Sequence, residues 1–217
     1  MRIIAGRFKG LKLTAPKGQN TRPTADKVKE ALFSMLESLS FDLAEARVLD
    51  FFAGSGALAL EALSRGAASA VLADRDREAL AAVRRNLEAL PAGEAEASVI
   101  RAQWPRGFQL LPPDRPFDLF LLDPPYDQAR LPLALLAEAA ARGLAAPGAV
   151  AVWEQAPETL AAWTETDAAP WRVLKSRAWG GQAAAFLQFF PTDESDGETA
   201  RQYPPVSPPV TARPTGE

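Results

Sequence analysis

Asp123-Pro124-Pro125-Tyr126 follows directly on the apolar run Phe117-Asp118-Leu119-Phe120-Leu121-Leu122. So short a run, halted by two prolines, reads as a buried parallel strand ending in a loop, because proline donates nothing to a ladder and fixes its own φ. Ligands of open α/β sheets bind at the carboxyl edges of strands, so a carboxylate, two rigid carbonyls and a flat ring would converge there. That set suits a planar base with an exocyclic amine. Asp123 and the Pro124 carbonyl would accept its N–H groups while Tyr126 stacks on its face. A proline turn closed by a buried tyrosine would account for the same four residues.

A second constellation, Asp50-Phe51-Phe52-Ala53-Gly54-Ser55-Gly56, lies where a strand should turn into a helix. Gly54 and Gly56 let backbone pass close to a ligand. The stretch Gly54 to Ala59 also satisfies G-x-G-x-x-A, which by itself admits a dinucleotide. Asp50 argues the other way: a carboxylate there would repel a pyrophosphate but suit a cationic ammonium group. S-adenosylmethionine carries that ammonium and no phosphate. Asp74, at the next strand's end, is placed to accept ribose hydroxyls, a demand that nicotinamide and adenosylmethionine cofactors share. The chain contains no histidine and no cysteine. Imidazole bases, thiolate nucleophiles, thiolate metal sites and disulfides are therefore excluded, and no metal is expected. Methyl transfer to an amine fits this inventory better than hydride transfer, since it needs an aligned nucleophile and no proton relay.

The elements that must carry these residues follow from the pattern. Strands are expected at 48–52, 70–73, 98–100, 117–122 and 149–153, with helices at 57–65, 76–90, 104–111 and 131–142 between them. Such alternation demands a parallel sheet with right-handed crossovers, hence a doubly wound α/β domain. After a helix near 157–163, strands at 171–175 and 184–190 meet through Gly180-Gly181 with no helix, which predicts an antiparallel hairpin at the sheet's edge and seven strands in all. Ahead of the domain, 2–9 and 11–13 read as a small β-hairpin around Gly10, and Thr24 as the N-cap of a helix to Leu39.

Three regions are expected: a basic extension at 1–40, the sheet domain at 41–190, and a disordered acidic tail at 191–217 holding six prolines. The net charge of −3 hides an asymmetry, for residues 1–30 carry eight cations against two acids. That start is a candidate phosphate-binding surface. No stretch has the length of a signal peptide or a membrane span, so a cytoplasmic protein without membrane contact is expected. No long unexplained apolar face asks for a dimer, which leaves a monomer as the expectation.

These residues also carry a resemblance. Asp50 to Gly56, Asp74 and Asp123 to Tyr126 look like the motifs of class I methyltransferases acting on exocyclic amines of nucleic-acid bases. Met1-Arg2-Ile3-Ile4-Ala5-Gly6, Lys9-Gly10, Thr21-Arg22-Pro23-Thr24, Glu30-Ala31-Leu32-Phe33 and Leu58 to Ala67 resemble the RsmD-type family, bacterial small-subunit ribosomal RNA guanine-N2 methyltransferases. The likeness spans roughly residues 1–190 and leaves the tail outside. It implies a Rossmann-like methyltransferase sheet and S-adenosyl-L-methionine as cofactor, contacted by Asp50, Phe52, Ala53, Gly54, Ser55, Gly56, Asp74, Arg75, Gln103 and Asp123. Asp123, Pro124, Pro125 and Tyr126 would act on the base. Arg2, Arg7, Lys9, Lys12, Arg22, Thr24, Lys27 and Trp179 would meet RNA, in 16S ribosomal RNA, the small subunit or an assembly intermediate. Two departures stand out: Trp179 replaces the tyrosine of a family Tyr-Gly pair, and Arg101-Ala102-Gln103 lacks the family's adenine-contacting Asp. Adenine-N6 methylation of DNA, a nicotinamide dehydrogenase and a non-catalytic RNA-binding module remain the alternatives.

Overall fold

The structure is a computed structural model, and it describes residues 1–16, 26–91, 96–112, 115–125, 128, 130–161, 168–179 and 181–191. Seven strands form one sheet in the order β3-β2-β1-β4-β5-β7-β6. They are β1 (Arg47–Asp50), β2 (Ser69–Asp74), β3 (Glu96–Arg101), β4 (Phe117–Leu122), β5 (Ala145–Gln155), β6 (Trp171–Trp179) and β7 (Gln182–Phe189). The first five run parallel. β7 inserts antiparallel between β5 and β6, as the helix-free connection requires. Helices α2 (Ala57–Ser64), α3 (Arg77–Glu88), α4 (Leu131–Ala141) and α5 (Pro157–Ala161) lie between the strands, and α1 (Asp26–Ser38) precedes them.

Side chains alternate across a strand, so each strand feeds two cores. One face packs Val48, Leu72, Leu119, Leu121, Val152 and Phe186 against α1 and α2. The other packs Leu49, Val71, Phe120, Leu122, Trp153 and Leu187 against α4 and Phe108. The buried runs of β1 and β4 are nearly continuous in the sequence because both of their faces are covered.

Several expectations change in detail. The stretch 104–111 holds a 3-10 turn, Arg106–Leu110, where a short helix was expected. The N-cap expected at Thr24 and nearly all of the tail lie outside the described residues. The amino-terminal hairpin shrinks to one antiparallel bridge, Arg2 with Lys12. Across it the Ile3 and Leu13 amides donate to the Leu11 and Met1 carbonyls, each at 3.0 Å, while other amides of the segment are engaged by α2. Those of Ile4 and Ala5 donate to the Glu61 carboxylate at 2.7 and 3.0 Å, and those of Arg7 and Phe8 to the Ser64 carbonyl and hydroxyl at 2.8 and 2.9 Å. Gly6, at φ +79°, lies so close to α2 that a Cβ would come within 1.8 Å of the Ser64 carbonyl oxygen.

Glu61 also accepts from Arg65 Nε at 2.9 Å and lies 4.0 Å from Lys29 Nζ, with both Glu61 and Lys29 fully buried. Lys29 therefore does not belong to the basic surface; burial pulls its pKa down, against the opposing pull of Glu61. This acid anchors the amino-terminal segment to the sheet domain. Glu61→Ala would strand two amides and a buried ammonium, and is expected to destabilise the protein by about 3–5 kcal/mol in urea unfolding, with Glu61→Gln losing less.

Candidate active site

Asp50 ends β1, Asp74 ends β2, and Asp123 directly follows β4. All three continue the row of side chains that faces α1 and α2, because each sits an even number of residues from Val48, Leu72 or Leu121. They open onto a single cavity of about 850 Å³ at the carboxyl edge of the sheet. Phe52, Ala53, Gly54, Ser55, Arg75, Gln103, Pro124 and Pro125 line it as well. Of the residues proposed from the sequence for the cofactor, only Gly56 stands off the lining. It bends the loop into α2 at φ +80°, where a Cβ would meet Leu72 Cδ2 at 3.0 Å. Tyr126, Arg22 and Thr24 lie outside the described residues.

Local hydrogen bonds fix this rim. Asp74 accepts from the Gly54 amide through Oδ2 and from the Asp76 amide through Oδ1, each at 2.9 Å, which holds the glycine loop against β2. Each carboxylate oxygen keeps a second lone pair for a ligand hydroxyl. Trp104 donates from Nε1 to the Phe51 carbonyl at 2.8 Å and packs edge-on against Phe51 at 4.7 Å between ring centroids, so its indole forms a wall. After Asp123, the Pro125 carbonyl accepts the Gln128 amide at 2.9 Å and turns the chain back.

The amino-terminal segment closes the opposite side. Met1, Ala15 and Pro16 line the cavity. Asn86 of α3 ties that segment to the glycine loop: Nδ2 donates to the Ser55 and Thr14 carbonyls at 2.8 and 3.0 Å, and Oδ1 accepts the Thr14 amide at 2.7 Å. Arg2, Arg7, Lys9, Lys12 and Lys27 are exposed on or beside this segment. Arg2 contacts Asp26 at 3.1 Å, and the guanidinium of Arg7 lies over the Phe8 ring. Trp179 ends β6 and does not line the cavity, but its register partner Gln182 does.

The cavity lining also includes residues that the sequence does not single out, among them Trp104, Gln128, Glu154 and Gln182. Glu154 sits near the end of β5, and the signal for it was available, since an acid closing an apolar strand is the same signature that marked Asp123. Among the described residues no cluster of histidine, cysteine or acidic side chains is placed to hold a metal ion.

Burial crowds the acids electrostatically. Asp50 is 2% exposed, and desolvation, with smaller contributions from the Asp123 and Asp74 charges, raises its pKa to about 8 against the opposing hydrogen bonds of the Phe52 and Ala59 amides. Burial likewise raises Asp123. A site of this kind is completed by a cation brought to Asp50, hydroxyls brought to Asp74 and N–H donors brought to Asp123.

Comparison with known proteins gives the family. Residues 1–188 match the family model described as conserved hypothetical protein 95. The chain belongs to that family. Among its relatives, ribosomal RNA small subunit methyltransferase D of Escherichia coli K12 is 41% identical over 131 residues, 60% of this chain and 63% of the relative. The protein of the same name from Haemophilus influenzae is 39% identical over 127 residues, 58% of this chain and 64% of its own length. The chain thus spans slightly less than two thirds of these two curated relatives. The solved structure of E. coli yhhF is 33% identical with a TM-score of 0.71, covering 88% of this chain and 99% of that one. The 16S rRNA N2 G1207 methyltransferase RsmC of Thermus thermophilus, solved with AdoMet and guanosine, shares the fold at 22% identity and a TM-score of 0.59, over 78% of this chain and 45% of that one.

The raised pKa of Asp50 has a stability consequence with a definite sign. Between its unfolded value and about 8 the native state holds the extra proton, so stability declines as pH rises through that window. Asp50→Asn is expected to come closest to the wild type in urea midpoint at or below about pH 4 and to exceed it increasingly toward pH 9, where the wild-type protein buries a carboxylate.

Proposed function

We propose that this protein transfers a methyl group from S-adenosyl-L-methionine to the exocyclic N2 amine of a guanine in 16S ribosomal RNA. The observation that carries the reading is the convergence of Asp50, Asp74 and Asp123 on one cavity, with the glycine loop beneath the first two. The donor set fits the cofactor: Asp50 is a buried acid whose ionised form lacks a counter-charge, as an α-ammonium would supply, and Asp74 is oriented by two amides toward the same space. Gln103 and Trp104, which line the cavity, would border the adenine, and Arg75, also in the lining, would meet the ribose end. When bound, the cofactor supplies an electrophilic methyl on sulfur.

The residues of the chain then have distinct parts. Asp123 and the Pro124 carbonyl would hold the guanine amine by its N–H groups and favour its pyramidal form, keeping its lone pair available to the methyl group that the cofactor would supply. The product ammonium releases its proton readily, to Asp123 or to water, so no imidazole is needed. Alignment within a walled cavity supplies much of the rate. Tyr126 would stack on a base taken out of its helix, a step that is cheap in a single-stranded loop.

The substrate class comes from two supports. Relatives at about 40% identity are named for small-subunit ribosomal RNA. The exposed cations sit on or beside the segment whose Met1, Ala15 and Pro16 line the cavity, and that segment would offer phosphates a grip.

Asp123→Ala is expected to abolish tritium transfer from labelled cofactor to small-subunit RNA, with S-adenosylhomocysteine affinity changed no more than severalfold; activity retained in that variant would sink the assignment. Nucleoside mass spectrometry of the treated RNA should give N2-methylguanosine, whereas N6-methyladenosine would support the DNA-type alternative. Replacing Lys9 and Lys12 together by alanine should weaken RNA binding and reduce the slope of log affinity against log salt by roughly 1.4 to 1.8, about 0.7–0.9 per lost phosphate contact.

A further inference from the structure

Glu154 is 4% exposed and lines the cavity, yet the acids that grip the cofactor do not include it. The register Leu122 with Trp153 sets it beside Asp123, one residue beyond each paired strand position. Strand order places β4 between β1 and β5, so Glu154 lies on the far side of Asp123 from Asp50, in the half of the cavity left for the methyl acceptor. Its Oε1 accepts from Gln182 Nε2 at 3.0 Å across β5 and β7. Its Oε2 is buried with no hydrogen-bond partner. Burial, and then the neighbouring Asp123, disfavour the ionised carboxyl, so the arrangement destabilises the ligand-free fold. A leucine or a second amide would pack there without that penalty. A buried acceptor without a partner, on a side chain that lines a binding cavity, marks a donor that arrives with the ligand.

We propose that Glu154, oriented by Gln182, selects guanine: Oε2 accepts the N1–H of the base whose N2 amine lies against Asp123. This rests on the guanine-N2 reading above and adds the group that discriminates the base. Guanine presents N1–H and N2–H side by side, two donors for two neighbouring carboxylates. Adenine turns an N1 lone pair toward the same oxygen, where the lone pairs of the ionised carboxyl would oppose it; only a protonated Glu154 could donate to adenine, so the discrimination belongs to the ionised form that guanine's N1–H stabilises. A pocket that hydrogen-bonds a substrate group rejects the analogue lacking it far better than an apolar pocket can. Asp123 recognises an amine on either base, so the choice between them falls to its neighbour.

The test replaces the methylated guanine, once mapped, by 2-aminopurine, which keeps the N2 amine but presents N1 as an acceptor. The wild type should lose about 100-fold or more in kcat/KM on the 2-aminopurine RNA. Glu154→Gln, nearly isosteric, should lose a comparable factor on guanine and bring the guanine to 2-aminopurine ratio to unity or below, because the introduced amide can donate to the bare N1. Its S-adenosylhomocysteine affinity should stay within about twofold of wild type, a check on folding and on the cofactor half. Gln182→Ala, which removes only the orienting partner, should raise KM more than it lowers kcat and compress the same ratio; if Glu154→Gln fails to fold, this variant decides. Guanine methylation by the wild type together with an unchanged ratio in the variants overturns this inference alone. No guanine methylation by the wild type overturns the reading beneath it, and this one with it.

Discussion

The pleat of a parallel sheet governs this molecule. Adjacent strands in register send alternate residues to one face, so a carboxylate placed in step with a strand's inward row must emerge beside its counterparts on neighbouring strands. Asp74, Asp50, Asp123 and Glu154 stand in that relation along β2, β1, β4 and β5, and Gln182 joins them because β7 runs the other way and brings its first residue to the same edge. Moving any one of these residues by a single position would send it into the other core, among Phe120, Trp153 and Leu187. Burial makes Asp50, Asp123 and Glu154 resist ionisation, and the charges of neighbouring acids add to the effect at Asp50 and Glu154.

The amino-terminal segment is bound into the same logic. Its amides close on Glu61 and Ser64 of α2, the helix whose first turn follows the glycine loop. Asn86 then joins Thr14 to Ser55. One segment thus carries exposed cations on its outer side, lines the cavity with Met1, Ala15 and Pro16, and packs Ile3, Phe8 and Leu13 into the main core. The exposed cations and this part of the cavity wall, carried by one stretch of backbone, keep a fixed distance from each other.

Much of this was legible beforehand because its causes are local. Apolar runs broken by helix-length connections give the strand count, the parallel order and the terminal hairpin. Two glycines after an acid, and two prolines after another, mark backbone that must turn at a strand end, so Asp50, Asp74 and Asp123 were identifiable one strand at a time. The hairpin expected from 2–9 and 11–13 is shortened to one bridge because the amides of Ile4, Ala5, Arg7 and Phe8 find partners more than 50 residues away in sequence, at Glu61 and Ser64. Lys29 was counted with the basic surface because its charge is visible in a sequence, while the buried carboxylate that faces it is not.

The sequence by itself determined the strands and turns, the acids that end them, the absence of imidazole and thiol chemistry, and the family likeness, since each is written in neighbouring residues. Only the tertiary structure decided that β4 lies between β1 and β5, that Glu154 therefore stands next to Asp123 with one oxygen bare, and that Gln182 arrives from the antiparallel strand to hold the other. Those facts depend on which strands become neighbours, and strand neighbours are chosen by burial across the whole sheet, which no window of sequence contains.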